Sequence, residues 1–346
     1  MAFFSAGDRR MTDSSPARRS SPRRLPSLAA LLAALLPLAA VAADGARSTI
    51  TLPGERAFPE AITSTADGTL YVSSLGNGGI FRARPGESQA TLWIAPGTYG
   101  TRSTFGVLAD EKAGVLWVCS NDISAVIGPH VAGSETGAWL KGFDLTTGQG
   151  KVSARFPNER ALCNDIALGP DGSVYATNTM APEILKLSAD RKTLAVWATD
   201  PRFGPSGKDA GLDGIVFGGD GHVYVNTYTK AELFRVDVKD GKAGAVTPIT
   251  PSRPLVLPDT LRLIEGTTFW LIEGGGRLDR MTVNGDTATI ETIKDGFALP
   301  TGITQVGKHL AWVSEGQLDL ILDPAKRTSR KPAVPFKLHA VPLGAK

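Results

Sequence analysis

From residue 48 onward the chain alternates short apolar runs with clusters of Gly, Asp, Asn, Ser and Lys, and the alternation follows a repeating plan. Residues 59–74 (PEAITSTADGTLYVSS), 163–178 (CNDIALGPDGSVYATN) and 300–315 (PTGITQVGKHLAWVSE) each read as an apolar run, a polar turn and a second alternating run. That order is the signature of a β-hairpin. The plan recurs at 105–120, 212–227 and 258–273. We take the second residue of each segment as an anchor: Glu60, Gly106, Asn164, Asp213, Asp259 and Thr301. A large aromatic follows eleven residues later in every copy, as Tyr71, Trp117, Tyr175, Tyr224, Trp270 and Trp312.

Anchors lie 42 to 58 residues apart, room for four short strands and their loops. Further apolar runs at 79–83, 90–94, 184–187 and 194–198 supply outer strands. No long stripe of 3.6-residue period follows the leader, which disfavours a helical fold. The pattern therefore predicts an all-β chain, a six-bladed β-propeller at 43–346, with blade cores near 59–100, 105–158, 163–203, 212–252, 258–296 and 300–345. Strands near 48–52 and 338–341 are expected to close the ring and cover its edges.

Composition agrees with a folded chain rich in tight turns: 42% hydrophobic, 21% charged, 39 glycines. The net charge of +3 is misleading, because Arg9, Arg10, Arg18, Arg19, Arg23 and Arg24 stand in the first two dozen residues and the remainder is net acidic. No basic face interleaved with aromatics appears, so nucleic acid is not an expected partner. The basic stretch leads into an apolar run from Leu25 to Ala39 and the small-x-small triplet Ala40-Val41-Ala42. Residues 1–42 thus read as a secretory signal, with Met11 a second candidate start. The run is too short to span a bilayer, so no membrane span is expected once the signal is removed, and the chain is expected to be exported, periplasmic or secreted. A twin-arginine reading of Arg23-Arg24 fits the following Leu-Pro-Ser poorly. Nothing in the sequence sets an oligomeric state.

In a propeller the first strand of each blade lines the central channel, so the anchors form one ring. Glu60, Asn164, Asp213 and Asp259 bring four oxygen-bearing side chains from four blades to the axis, a donor set that suits one divalent cation, Ca²⁺ first and Zn²⁺ or Mg²⁺ as alternatives. Three carboxylates gathered there repel one another, and a cation removes the conflict. The competing reading is that such residues cap local turns. Three positions beyond the aromatics stand Ser74, Ser120, Asn178, Thr227, Glu273 and Glu315. With Asp165, Asn121, Asn226 and Thr301 they are candidate substrate-facing or supporting groups, or else polar starters of loops. Cys119 ends a second strand and Cys163 precedes the next anchor, positions compatible with a disulfide and with two buried thiols alike. No GxSxG, Ser-His-Asp, CxxC or HExxH arrangement competes.

PEAI with Glu60, the pair Asn164-Asp165 and LPDTLRL with Asp259 resemble the family of senescence marker protein 30, gluconolactonase and luciferin-regenerating enzyme, and more distantly the paraoxonases. The resemblance runs from about Ser48 onward. It implies a six-bladed propeller with one catalytic divalent metal, usually Ca²⁺, that hydrolyses a lactone or related ester. It further implies metal or substrate contacts from Glu60, Asn164 and Asp259, with Asp259 the first choice of general base; Asp213, whose charge is this chain's own feature, is the second. Two departures stand out. The family generally carries Asn where this chain has Asp213, and Phe105-Gly106 replaces the His that paraoxonase-like enzymes place in the second blade. His130, in the insertion between Asn121 and Ala138, is the nearest histidine. Two other readings stay open: a non-catalytic propeller that binds a ligand or protein, and a strictosidine-synthase-like lyase relying on Glu273 or Glu315.

Overall fold

The computed structural model describes residues 48–344, apart from 129–130, 208, 324 and 327–334. The leader and His130 lie outside the described residues. Within them the chain is all-β, and its helical segments are two of four residues, Ser124–Ile127 and Asp319–Leu322, and two short 3₁₀ turns. No helix there is long and apolar enough to cross a membrane.

The strands form four sheets of four strands and one of eight. The first meander runs Pro59–Ser64, Leu70–Ser74, Ile80–Ala83, Thr91–Ile94; the second Ser103–Asp110, Val115–Asn121, Ala138–Asp144, Gly150–Arg155; the third Cys163–Leu168, Val174–Asn178, Glu183–Leu187, Leu194–Thr199. The eight-stranded sheet is two antiparallel meanders, 212–251 and 258–294, joined at their outer strands by the short parallel pairing Thr250↔Thr287 and Pro251↔Ala288. In the last sheet the N-terminal strand Thr49–Thr51 pairs with Lys337–Pro342, which pairs with Leu310–Glu315 and so with Pro300–Val306. Both chain ends are thereby bound into one sheet. Thr51 also bonds to Ser88 and Ala90 of the first meander, which ties the seam from the other side.

The first strand of each meander lies against the first strand of the next, and Pro300–Val306 lies against Pro59–Ser64, so these strands close a circle. The repeated aromatics are the wedges between meanders. All six are buried. Tyr175 meets Phe217 of the following meander at 5.0 Å between centroids, Tyr224 meets Phe269 at 4.7 Å, and the Trp270 indole donates to Gln305 Oε1 at 2.7 Å. Tilted aromatic pairs of this kind add about 0.5–1.5 kcal/mol each beyond the area they bury. A large ring fits this slot because adjacent twisted sheets diverge outward from the axis and leave a wedge of space.

One buried polar network lies outside the circle. Glu273 and Asp279, both with fully buried side chains, share Arg253 at 2.7 and 2.9 Å, and Thr292 donates to Asp279 at 2.7 Å. Burial, with the Glu273 carboxyl beside it, pushes Asp279 up to about 6. In the unfolded chain this Asp ionises near 4, so folding takes up a proton between pH 4 and 6 and stability falls as pH rises through that window. Urea unfolding is expected to lose on the order of 2 kcal/mol across it from this residue, and Asp279→Asn to make the slope shallower by about that amount.

Candidate functional site

Every first strand carries an irregularity at its anchor. Pairing passes from Pro59↔Ser74 to Ile62↔Val72, from Cys163↔Asn178 to Ile166↔Ala176, from Leu212↔Thr227 to Ile215↔Val225 and from Pro258↔Glu273 to Leu261↔Leu271. Each step advances three residues on the first strand against two on its partner, the count of a β-bulge, and the second and sixth meanders show the same extra residue. A bulge re-aims the side chains at its centre. Here it takes Glu60, Asn164, Asp213 and Asp259 off the ladder at one end of the circle. Just ahead of three anchors, Phe58, Leu257 and Leu299 stand at φ of 36°, 53° and 47°. Side chains rarely adopt this left-handed backbone, and such strain gathers at sites the surrounding fold over-determines.

The second meander contributes no ring side chain for a steric reason. A Cβ at Gly106 would lie 2.2 Å from the carbonyl oxygen of Asn164. The third meander's backbone passes where a side chain would stand.

Glu60, Asn164, Asp165, Asp213 and Asp259 are all nearly inaccessible, at 3 to 6% exposure. Burial, then the charges of Asp213 and Asp165, raise the Glu60 pKa well above the usual carboxylate range, with Arg262 opposing. Asp213 is raised by burial and by Asp165, against a hydrogen bond from the Asn164 amide. Asp259 is raised by burial, then by Asp213, Glu60 and Asp165, with the Thr260 hydroxyl opposing. The three feel one another across a common space, and each resists ionisation while the others are charged.

The Asn164 amide nitrogen donates to Thr179 Oγ1 at 3.0 Å, and the amide lies beside the Asp213 carboxyl, whose raised pKa it opposes. With the amide nitrogen turned to Thr179, its carbonyl oxygen is the acceptor left to offer. Glu60 Oε2 and Asn226 Oδ1 are buried without a hydrogen-bond partner. Acceptors left bare in this way, beside carboxylates that repel, match the donor chemistry of a hard cation. Among the described residues no three Asp, Glu, His or Cys side chains form a ready-made cluster for an ion. Any metal held here would therefore draw on the Asn164 carbonyl as well as on the carboxylates.

Asp165 faces a different partner. Arg262 grips it with two bonds, Nη1 to Oδ2 at 2.8 Å and Nη2 to Oδ1 at 3.0 Å, while Ile166 N donates to Oδ1 at 2.9 Å. This pair crosses from the third to the fifth meander beneath the anchors. Tyr228, one residue past the fourth meander's second strand Val223–Thr227, is close enough to the ring to feel its charges. Its phenol is raised by burial and by the charges of Asp259, Asp213, Glu60 and Asp319. Neither residue stood out in the sequence reading, yet the repeat contained the signal. Three places past the anchors the six copies read Thr63, Ala109, Ala167, Val216, Arg262 and Thr304, with one charge. Fifteen past, they read Leu75, Asn121, Thr179, Tyr228, Gly274 and Gly316, with one aromatic.

The second polar ring is spent on architecture. Asn121 exchanges two bonds with the Cys163 backbone, at 2.8 and 2.9 Å, and Asn226 donates to Pro258 O. Thr301 donates to Pro59 O at 3.1 Å, each of these crossing to the next meander. Ser74, Ser120, Asn178 and Thr227 accept from backbone amides of nearby turns and loops. Glu315 holds Ala298 N and His339, and Glu273 holds Arg253. Cys119 and Cys163 are joined in a disulfide, Cα atoms 5.2 Å apart, beside the Asn121 clamp.

No family model and no curated protein matches the chain by sequence. Solved structures do match in shape. The major allergen Mala s 1 of Malassezia sympodialis aligns over 85% of this chain and 96% of its own, with TM-score 0.65 and 15% identity. A gluconolactonase from Xanthomonas campestris aligns over 85% and 89%, with TM-score 0.62 and 15% identity. The fold is that of the gluconolactonase-like propellers. Virginiamycin B lyase from Staphylococcus aureus aligns over 85% and 98%, with TM-score 0.53 and 14% identity, so the architecture alone does not select a chemistry.

Proposed function

We propose that the chain is a six-bladed propeller, each meander one blade, that hydrolyses a lactone or related ester with the help of one divalent cation, Ca²⁺ by preference. The observation that carries the reading is the set of three buried, mutually repelling carboxylates, Glu60, Asp213 and Asp259, raised off three bulged strands beside the Asn164 carbonyl. The likeness to a gluconolactonase supports it.

Glu60, Asn164, Asp213 and Asp259 would hold the ion, which supplies Lewis-acid polarisation of the substrate carbonyl. Asp213 has the Asn164 amide beside its carboxyl, opposing the rise in its pKa, whereas Asp259 has only the long contact from the Thr260 hydroxyl at 3.4 Å. Asp259 is therefore the freer carboxylate and takes the proton from the attacking water. Tyr228 stands where its hydroxyl can orient the substrate or donate to the departing oxygen. The Arg262–Asp165 pair closes the site from below and keeps bulk water from that side. The lyase reading loses its acids, since Glu273 and Glu315 are both committed to cationic or ring-nitrogen partners.

Export fits the same picture. A disulfide between Cys119 and Cys163 persists in an oxidising compartment, where the leader would deliver the chain.

The test is a panel of sugar and aliphatic lactones assayed with Ca²⁺ and with chelator. Turnover that needs Ca²⁺ is expected for at least one of them. Binding of one metal ion with no turnover across the panel would overturn the hydrolase reading and leave a ligand-binding propeller.

A further inference from the structure

The ring of anchors opens through a rim that the repeat also indexes. In five of the six meanders the residue fifteen places past the anchor donates its backbone N–H to the carbonyl of the residue two places before it. Thr179 donates in this way to Leu162 at 3.0 Å, Gly274 to Leu257 at 2.8 Å and Gly316 to Leu299 at 3.0 Å. Three of the five accepting residues are thus leucines, and all three are left part-exposed. Leu162 and Leu299 rest on the largest apolar cluster. Leu257 borders the ring itself. A Cβ built on Gly274 would meet the Leu257 Cβ at 3.2 Å and the Tyr228 hydroxyl at 3.3 Å, so this leucine flanks the phenol that feels Glu60, Asp213 and Asp259. In the sixth meander a Cβ on Gly316 would lie 3.0 Å from Leu318 Cγ and 2.6 Å from the Thr301 methyl, which puts Leu318 beside the last anchor.

Polar capacity on this rim is scarce. The Thr179 hydroxyl donates to Leu212 O at 2.7 Å and accepts from the Asn164 amide at 3.0 Å. The Tyr228 hydroxyl makes no hydrogen bond among the described residues. Asn121, Asn226 and Thr301 are already bonded to the backbone of the next meander. A sugar lactone brings a hydroxyl on nearly every carbon, and each one covered by leucine without a partner costs its full desolvation. An alkyl substituent in the same place gains with every methylene it buries.

We propose that the anchor ring selects a lactone with an aliphatic side chain over a polyhydroxylated one, the chain lying along Leu257, Leu299 and Leu318 while the Tyr228 hydroxyl donates to a lactone oxygen. This preference rests on the ring being the lactone site, and it chooses between the sugar and aliphatic classes.

Two lactams, closed analogues that need no turnover to report binding, separate the preference from the hydrolysis. They are δ-decanolactam and gluconolactam, titrated calorimetrically into the Ca²⁺-loaded full chain. δ-Decanolactam is expected to bind at least about tenfold more tightly, and δ-decanolactone to show at least about tenfold higher kcat/KM than glucono-δ-lactone. Leu257→Asn, an exchange that the φ of 53° tolerates, should weaken δ-decanolactam about fivefold or more, with gluconolactam binding and the thermal midpoint unmoved. Tight binding of δ-decanolactam with neither lactone opened would uphold the preference and overturn the hydrolase reading. The preference itself is overturned, whatever the turnover, by any of three results: no binding of δ-decanolactam, gluconolactam bound as tightly, or a folded Leu257→Asn chain that binds δ-decanolactam unchanged.

Discussion

Glu60→Gln and Asp259→Asn are each expected to lower turnover of the best lactone by at least about a thousandfold while the propeller stays folded. Several kcal/mol of barrier lowering depend on a cation held by carboxylates, and each substitution removes one of three that share the space. Glu60 has a buried oxygen with no other partner, so its loss strikes metal affinity. Asp259 is the freer base, so its loss strikes kcat even where the ion is still bound. Neither change should unfold the protein. Without metal each carboxylate is held above its usual range by burial and by its neighbours, and removing one charge relieves the other two. Thermal midpoints in chelator are therefore expected to hold or rise, while the stabilisation by added Ca²⁺ shrinks. Asp213→Asn installs the amide that the resembling family carries there. It should weaken Ca²⁺ binding yet keep turnover within about tenfold of the parent once Ca²⁺ is saturating, because Asp213 is neither the base nor the carboxylate with a bare buried oxygen, and the amide still offers an oxygen donor. A folded Glu60→Gln protein with full activity would remove the ring from the mechanism.

Replacing Cys119 and Cys163 together by Ala should cost about 4 kcal/mol of stability, read from the urea midpoint under oxidising conditions. The two residues are 44 apart in sequence, and closing a loop of that size in the unfolded chain removes entropy on that order. The effect should reach the site as well. Cys163 immediately precedes Asn164, and the disulfide and the Asn121 clamp together hold the start of that bulged strand. The Ala pair is accordingly expected to weaken Ca²⁺ binding, an effect that a disulfide remote from the ring would not have. An unchanged urea midpoint would show that the second and third meanders are locked without the covalent link.

Much of this architecture is legible in the chain because it rests on local rules. Period-two alternation gives the strands, Asp-Gly turns give the hairpins, and the aromatic eleven places past each anchor marks the wedge between sheets. The terminal strands could be expected to close the circle, but which sheet they complete depends on the pairing of Thr49–Thr51 with Lys337–Pro342, a contact nearly the whole chain apart. The ring Glu60, Asn164, Asp213 and Asp259 could be indexed from the repeat. What could not be read was the use made of the neighbouring polar residues. Asn121 and Asn226 look like site residues in sequence, yet their amides clamp the backbone of the next meander, because each junction leaves carbonyls and amides that must be satisfied. The bulges escaped as well, since one extra residue leaves no mark in an alternating pattern. Arg262 escaped because a single charge on an inner strand reads as an exception until its partner Asp165, 97 residues away, is in view.

The most direct measurement is a crystal structure of the protein grown with Ca²⁺, its anomalous signal locating the ion. One cation bounded by oxygens of Glu60, Asn164, Asp213 and Asp259, above the Arg262–Asp165 pair, is the expected result. A Ca²⁺-saturated crystal with no ion at that ring, or with the ion held elsewhere, would contradict it.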